Sequence, residues 1–482
     1  MSDPLEALLA FDRPKRLPTF VRVDELPALS TVDGAALPRA HAEALVRALV
    51  AKESGFAALR DARAALEPVA LDAFVVGLFE AWRGVDFHGR HGWVLEAVAS
   101  LGGDRCALAL AAELDHWPTQ SDTGRKRALG ALEVLRRIGT DTALLALLGL
   151  GQREVLPSVA LRAARELELA AKARRLTVGA LGDHITPSCG LDERGVKVFD
   201  YGARRFEVAF DEHFEPRVRD ASGELREGLP APEPGDDAAA AERAVEEWRV
   251  LAGQLESITR VQSARLEDAM ITERRWTVQA WTRHLWRHPL MVHFTRRLVW
   301  GRFDDQGTLA VAFRTSDDGS LVDVDDEPIT LSGRGRVGIV HPLHLPESAL
   351  DAWGDQLADY ELVPPFEQLT RPTLAATEEE SSQKTLTRFA DQRVEAKAVH
   401  DGFIGLGWTR DEAVVRQFFQ KDYEDGALRV RVHLDPGIHA GMSEHEPEQA
   451  IPKVVFRHGS ASVTLGKVSP VAFSEVVFAI ER

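Results

Sequence analysis

The stretch from Met291 to Pro372 constrains the chain most, because every junction between its elements is marked. Phe294, Leu298 and Val299 stand at i, i+4 and i+5, one apolar helix face that ends at Trp300-Gly301. Leu309, Val311 and Phe313 then alternate with small or polar partners, the period of a half-buried strand. Turn clusters bracket it, Asp304-Asp305-Gln306-Gly307 before and Asp317-Asp318-Gly319 after. Val337 to Val340 is a short apolar run with the character of a buried strand. It stops at His341-Pro342 because proline has no N–H to donate. Pro346 opens a helix through Leu350, Trp353, Leu357 and Tyr360. Pro364 to Pro372 closes the segment as a rigid loop held by prolines at both ends.

Before this stretch the texture divides near residue 176. From Pro38 to about Ala173 the pattern is helical and Ala/Leu-rich, in short segments separated by turn signals. Val75, Leu78 and Trp82 share one face, and Leu129, Leu132, Leu135 and Ile138 form another that ends at Gly139. Such helices are too short to stand alone, so each must stack on its neighbours, with a spacing loosely that of HEAT repeats. Beyond Leu176, Val196 and Val198, then Phe206, Val208 and Phe210, then Val218 predict an antiparallel meander of three strands. Ser222 to Asp237, with Pro230, Pro232 and Pro234 among three glycines, reads as a linker, and a long helix through Val245, Trp248, Leu251, Leu255, Ile258 and Leu266 follows. Thr277 predicts the N-cap of another helix, running through Trp281 and Leu285. After Pro372, Thr377 and Glu380 form a capping box, and Thr409 with Glu412 forms a second. Leu428 to Leu434 alternates like a strand, and Ser469 is placed to cap a final helix that starts with Pro470. The expected class is α+β: an all-α, HEAT-like region over 1–176, then a mixed α+β domain with a mainly antiparallel sheet over 177–482.

Composition narrows the function. The formal net charge of -17 repels phosphate backbones over most of the surface, which argues against broad nucleic-acid binding but leaves room for a local basic patch. The 2 cysteines, Cys106 and Cys189, lie far apart without metal-ligand spacing, so neither a disulfide framework nor a cysteine zinc site is expected. No stretch approaches the ~18 apolar residues of a membrane span, and the N-terminus has no basic region followed by an apolar run. These features describe an acidic, soluble, cytoplasmic protein, with no cofactor and no metal expected.

Several motifs invite chemistry. Gly333-Arg334-Gly335-Arg336-Val337-Gly338 matches the dinucleotide fingerprint, but it precedes a strand and opens no helix, so a turn is the better account. Trp300-Gly301-Arg302 spells a tripeptide known from DNA-end-binding modules, yet the acids at Asp304 and Asp305 oppose a phosphate contact and a buried Trp beside a tight Gly fits better. His284, His288 and His293 cluster beside Arg283 and Arg287, whose charge repels a cation. Asp323, Asp325 and Asp326 lie in an acidic turn that lacks the Gly and closing Glu of a calcium loop. The most suggestive set is His341 at a strand end with Asp359 and Arg371, candidates for acid, base and anion holder, and Trp300, Tyr360 and Gln368 as candidate binding residues. A structural ion pair between Asp359 and Arg371 is the competing explanation.

The blocks "RRLVWGRFDDQGTLAVAFR", "VGIVHPLHL", "AWGDQLADYE" and "PPFEQLTRP", with "VKVFDYGARRFEV" and "GTDTALLALLGLGQ" upstream, resemble the bacterial MolR-like family of unknown function. The resemblance implies a helical-repeat region joined to that family's α+β domain, without the separate WGR domain that many larger relatives carry. It implies no assigned activity. The leading expectation is a non-catalytic interaction or regulatory protein that binds a protein partner through its helical surface. The alternatives are an enzyme, a hydrolase or transferase acting on an anionic substrate near His341, Asp359 and Arg371, and a nucleic-acid-associated protein using Trp300 to Arg302 and Arg334 to Arg336.

Overall fold

The structure is a computed structural model that describes residues 4–10, 16–51, 56–150, 157–331, 333, 335–410, 415–423, 426–439 and 443–481. The chain forms two compact units, Met1–Ile185 and Thr186–Arg482. The class is α+β, helices first and antiparallel sheets after.

In the first unit the described helices are α1 (Pro4–Leu9), α2 (Arg39–Val50), α3 (Phe56–Arg63), α4 (Pro68–Arg83), α5 (Trp93–Leu101), α6 (Asp104–Leu114), α7 (Trp117–Gln120), α8 (Asp122–Ile138), α9 (Asp141–Leu150), α10 (Pro157–Ala173) and α11 (Val178–His184). The unit therefore extends one short helix past the change in texture at 176. Their packing is layered. Helices α4 and α5 touch, as do α6 and α8, and α9 and α10. Each pair then meets the next through α4–α6–α9 on one row and α5–α8–α10 on the other. Asp72 ties two layers together: from the buried side of α4 it accepts N–H bonds from Gly103, Arg105 and Cys106 at 2.7, 2.8 and 3.2 Å, satisfying the free donors at the start of α6.

The second unit opens with the antiparallel meander β1 (Val198–Asp200), β2 (Arg205–Phe210), β3 (Pro216–Arg219) and β4 (Leu225–Arg226). The proline-rich stretch that follows is not a linker between domains. Arg204 holds it against the meander through Glu233, Asp236 and the Ala231 carbonyl, and the Tyr201 hydroxyl donates to the Pro230 carbonyl at 3.0 Å. Helix α12 (Ala238–Ile271) then runs 34 residues from the meander to the other sheets, N-capped by Asp237. Val245 does not share its inward face, being 38% exposed, whereas Trp248, Leu251, Leu255 and Ile258 are buried.

A five-stranded sheet in the order β5 (Arg275–Thr277), β9 (Arg336–Ile339), β6 (Trp300–Phe303), β7 (Leu309–Thr315), β8 (Leu321–Val322) holds the central stretch. Between β5 and β6 lie α13 (Val278–Trp281), capped by Thr277 and continued by a wider turn over Thr282–Trp286, and α14 (Val292–Thr295). The helix expected to reach Trp300 thus stops at Thr295, because Trp300 pairs with Phe313 and Ile339 as a strand. Helix α15 (Glu347–Asp359) covers one end of the sheet, where Val299, Val340, Trp353 and Leu357 form a core that Leu369 of the proline loop packs against.

The third sheet runs β10 (Thr385–Leu386), β15 (Gln449–His458), β14 (Leu428–His439), β13 (Val415–Tyr423), β12 (Thr409–Arg410), with β11 (Arg393–Val394) and β16 (Ala461–Ser462) also on β15. Around it stand α16 (Glu378–Ser381), capped by the Thr377–Glu380 box, α17 (Ala396–Gly405) and α18 (Pro470–Glu481). The second expected capping box lies partly at Glu412, outside the described residues. Phe456 stacks on Phe473 of α18, and Phe419 on Phe403 of α17, so the inward side of this sheet is aromatic.

Candidate functional site

His341 lies just beyond β9, with Val340 between, and is fully buried. Its Nδ1 accepts the Leu343 N–H at 3.2 Å, which places the ring proton on Nε2, and Nε2 donates to Glu475 of α18 at 3.0 Å. Arg371 reaches the same carboxylate from the proline loop: its Nε and one terminal nitrogen donate to the two Glu475 oxygens at 2.5 and 2.8 Å. Its other terminal nitrogen donates to Glu267 of α12 at 2.7 Å. One carboxylate therefore clasps a strand end, a loop and, through Arg371, the long helix.

The electrostatics follow from that geometry. Burial pushes the Glu475 carboxyl up, but the bonds from His341 and Arg371 outweigh it and hold the group below the usual glutamate range. Burial likewise lowers His341, and Glu475 only partly offsets the effect, so the imidazole stays a neutral donor. Burial also opposes the Arg371 charge, yet Glu475 and Glu267 leave its pKa raised. Tyr423, fully buried, has its phenol pushed well above the usual value by burial, with Glu475 and Asp268 adding to it.

A second, similar assembly adjoins the first. His344 Nδ1 accepts the His341 N–H at 3.0 Å, and its Nε2 faces Glu273 at 3.5 Å. Glu273 also meets Arg275 at 3.3 Å and accepts from the Ser469 hydroxyl. Ser469, expected to cap α18, turns its side chain to Glu273 instead.

The other residues singled out by sequence are placed as follows. Asp359 is exposed at the end of α15, and the Arg371 guanidinium is taken by glutamates, so Asp359 joins neither a catalytic set nor an ion pair with Arg371. Gln368 is buried and acts as a staple: its Oε1 accepts the Val299 N–H at 3.0 Å, and its Nε2 donates to the Val299 and Val340 carbonyls at 2.7 and 2.9 Å. Trp300 is also buried and donates to the Thr295 carbonyl at 3.0 Å. Neither residue is open to a ligand. A Cβ on Gly301 would lie 2.5 Å from Leu309, so the Trp300-Gly301-Arg302 tripeptide is a strand closely packed against β7. Tyr360 is half exposed, donates to Asp326 at 2.9 Å and carries the Arg314 guanidinium 4.0 Å over its ring. Those contacts tie the acidic turn to β7 and the end of α15.

Histidines 288 and 293 are likewise engaged, donating to the Thr186 and Gly195 carbonyls at 3.0 and 2.8 Å. Arg334 of the glycine-rich turn lies outside the described residues. Among the described residues no group of three or more His, Cys, Asp or Glu is arranged to hold a metal. Burial pushes the Cys106 thiol far up and the Cys189 thiol up to about 11, so neither is a thiolate at neutral pH. A groove of about 610 Å³ runs along α12, lined by Cys189, Lys197, Arg243, Glu246, Glu247 and Val250 among others, and none of the six candidate site residues reaches it.

No periodicity or motif points to the glutamates of the clasp. Glu475 sits on a nearly continuous apolar helix, and that is the one available signal, since a lone carboxylate on a buried face must be paired.

An α+β chain whose polar centre is a buried His–Glu–Arg clasp is what the geometry defines. Residues 223–408 match the model of a domain of unknown function, DUF4132. The chain is also similar to the uncharacterized protein YehI of Escherichia coli (strain K12), 28% identical over 427 residues, which are 88% of this chain and 34% of YehI. It thus spans about a third of the length of that curated relative. No solved structure matches significantly. No helix among the described residues is long and apolar enough to cross a membrane.

Proposed function

We propose that this is a non-catalytic interaction or regulatory protein of the bacterial cytoplasm, MolR-like in family, whose HEAT-like helical unit binds a protein partner. The observation that carries the reading is the commitment of His341, Arg371 and Glu475 to one another. Both imidazole nitrogens and the guanidinium are engaged inside the core, and the exposed Asp359 joins neither of them. The same observation weighs against a hydrolase or transferase at this place. The two-row packing of α4 to α10 supports the binding role, because stacked helix pairs present a continuous outer surface.

Photo-crosslinking of the full chain in cells tests it. A photoreactive residue at Val69 or Leu108, 60% and 49% exposed on the helical unit, is expected to give one discrete protein adduct. The same group at Val363, 45% exposed on the second unit, is expected to give none. Absence of adducts from the helical unit, or equal labelling from Val363, would contradict the reading.

A further inference from the structure

The outward side of the third sheet has a chemistry unlike the rest of the molecule. Strand alternation sends Leu428, Val430 and Val432 inward and Arg429, Arg431 and His433 outward. The register then sets Arg457, Val455 and Lys453 of β15 on one side of that row, and Asp422, Gln420 and Phe418 of β13 on the other. Four fixed cations, Arg429, Arg431, Lys453 and Arg457, thus share a small patch in a protein whose formal net charge is -17, and the carboxylates near them among the described residues include Asp422 and, two residues past His433 on the same strand, the exposed Asp435. Asp422 is held by Arg429 at 2.7 and 2.8 Å. Among the described residues no carboxylate lies within ion-pair distance of Arg431, Lys453 or Arg457. The Arg457 Nε is buried with no hydrogen-bond partner. The crowding is felt by His433, whose imidazole is lowered by burial and then by Lys453, Arg431 and Arg457.

The patch also carries a ring. Phe418 is half-buried, with the Arg431 guanidinium 4.5 Å over its face and the His433 ring 5.8 Å away. Gln420 steadies Arg431, accepting its Nε–H at 3.2 Å. Arg429 and Arg431 lie about 6.8 Å apart along β14, Lys453 and Arg457 about 13.6 Å apart along β15 with Val455 between them, and the two strands are about 4.8 Å apart, so the charges form a flat array rather than a cleft.

We propose that this face binds single-stranded nucleic acid. Arg429, Arg431, Lys453 and Arg457 would contact successive phosphates, and an unstacked base would lie on Phe418 beside Arg431. A flat array offers nothing that enters a duplex groove, whereas a basic surface with an aromatic plate is how sheets take up single strands. An acidic peptide would satisfy the cations but has no base to lay on the Phe418 ring. Strand alternation is what concentrates the charge, so the face coexists with the acidic surface elsewhere.

The test is fluorescence anisotropy of the full chain with labelled oligothymidylate and oligouridylate of about twelve nucleotides, in the range of single-strand site sizes. Binding is expected at low ionic strength and is expected to weaken steeply with salt. Arg431→Glu combined with Lys453→Glu should weaken it at least about tenfold and make the log–log salt slope shallower by about 1.4, at roughly 0.7 for each phosphate no longer neutralised. Phe418→Ala should weaken it about tenfold with the salt slope unchanged. These side chains face outward, and unaltered circular dichroism would show that the variants fold. No binding at low ionic strength overturns the proposal. So does binding that neither variant alters, or displacement of the oligonucleotide by polyglutamate at equal charge concentration.

Discussion

Individual side chains here are held by their burial more than by their local sequence. His293 is the sharpest case: burial foremost, then Arg296, Arg297 and Arg219, lower its pKa to about 4, and the bond to the Gly195 carbonyl offsets this only in part. An unfolded histidine titrates near 6.5, so between about pH 6.5 and 4 the unfolded chain binds the extra proton. Stability is therefore expected to be flat in this respect above pH 6.5 and to fall as pH drops to 4, by roughly 3 kcal/mol. Urea unfolding against pH checks this, and His293→Gln, which keeps a donor for Gly195, should flatten the slope. Identical slopes would refute the assignment. The same logic explains which site residues are legible in the sequence. His341, Gln368 and Arg371 stand out as polar residues bounding a buried strand, and the structure gathers them around that strand's end. Glu475, the partner of His341 and Arg371, lies 104 residues beyond Arg371, and no period or spacing connects positions so far apart. Asp359 is near them in sequence, but the last turn of α15 leaves it in solvent.

At the scale of elements, the boundaries that agree with the sequence are those fixed by local chemistry. Thr277 and Thr377 cap the helices they precede, each side chain accepting an N–H three residues on. The Leu309–Thr315 strand and its turns also stand where alternation puts them. The departures come where tertiary pairing overrides local pattern. Trp300 is drawn into a sheet by Ile339 and Phe313, although its apolar neighbours have helical spacing. The proline-rich segment before α12 has the composition of a linker but is fastened by Arg204 to the meander. Arg204→Ala is expected to release it, and limited proteolysis should then cut between Ser222 and Asp237 faster than in the unaltered protein. An unchanged cleavage rate would mean that Tyr201 and backbone contacts hold the segment without Arg204.

At the scale of the whole molecule, the two units divide the work. The first stacks helix pairs into a surface, and the second is knit by buried charges that link β9, α12, the proline loop and α18. The change from helical periodicity to strand alternation makes the fold class legible in the sequence, since each is a short-range signal. The closure of the second unit is not legible, because it depends on charges meeting from distant segments. The central claim is that the His341–Glu475–Arg371 clasp exists for structure and not for catalysis. A double-mutant cycle in urea unfolding at neutral pH, with Arg371→Met, Glu475→Gln and the two combined, tests it most directly. Each single change should remove about 3–5 kcal/mol by taking the main partner from a buried charge, with Arg371 keeping only Glu267 once Glu475 is changed, and the double should lose less than their sum, by about 2 kcal/mol. Single variants that unfold at or above the midpoint of the unaltered protein would contradict the claim, because that is the behaviour of a polar site kept for function at the expense of stability.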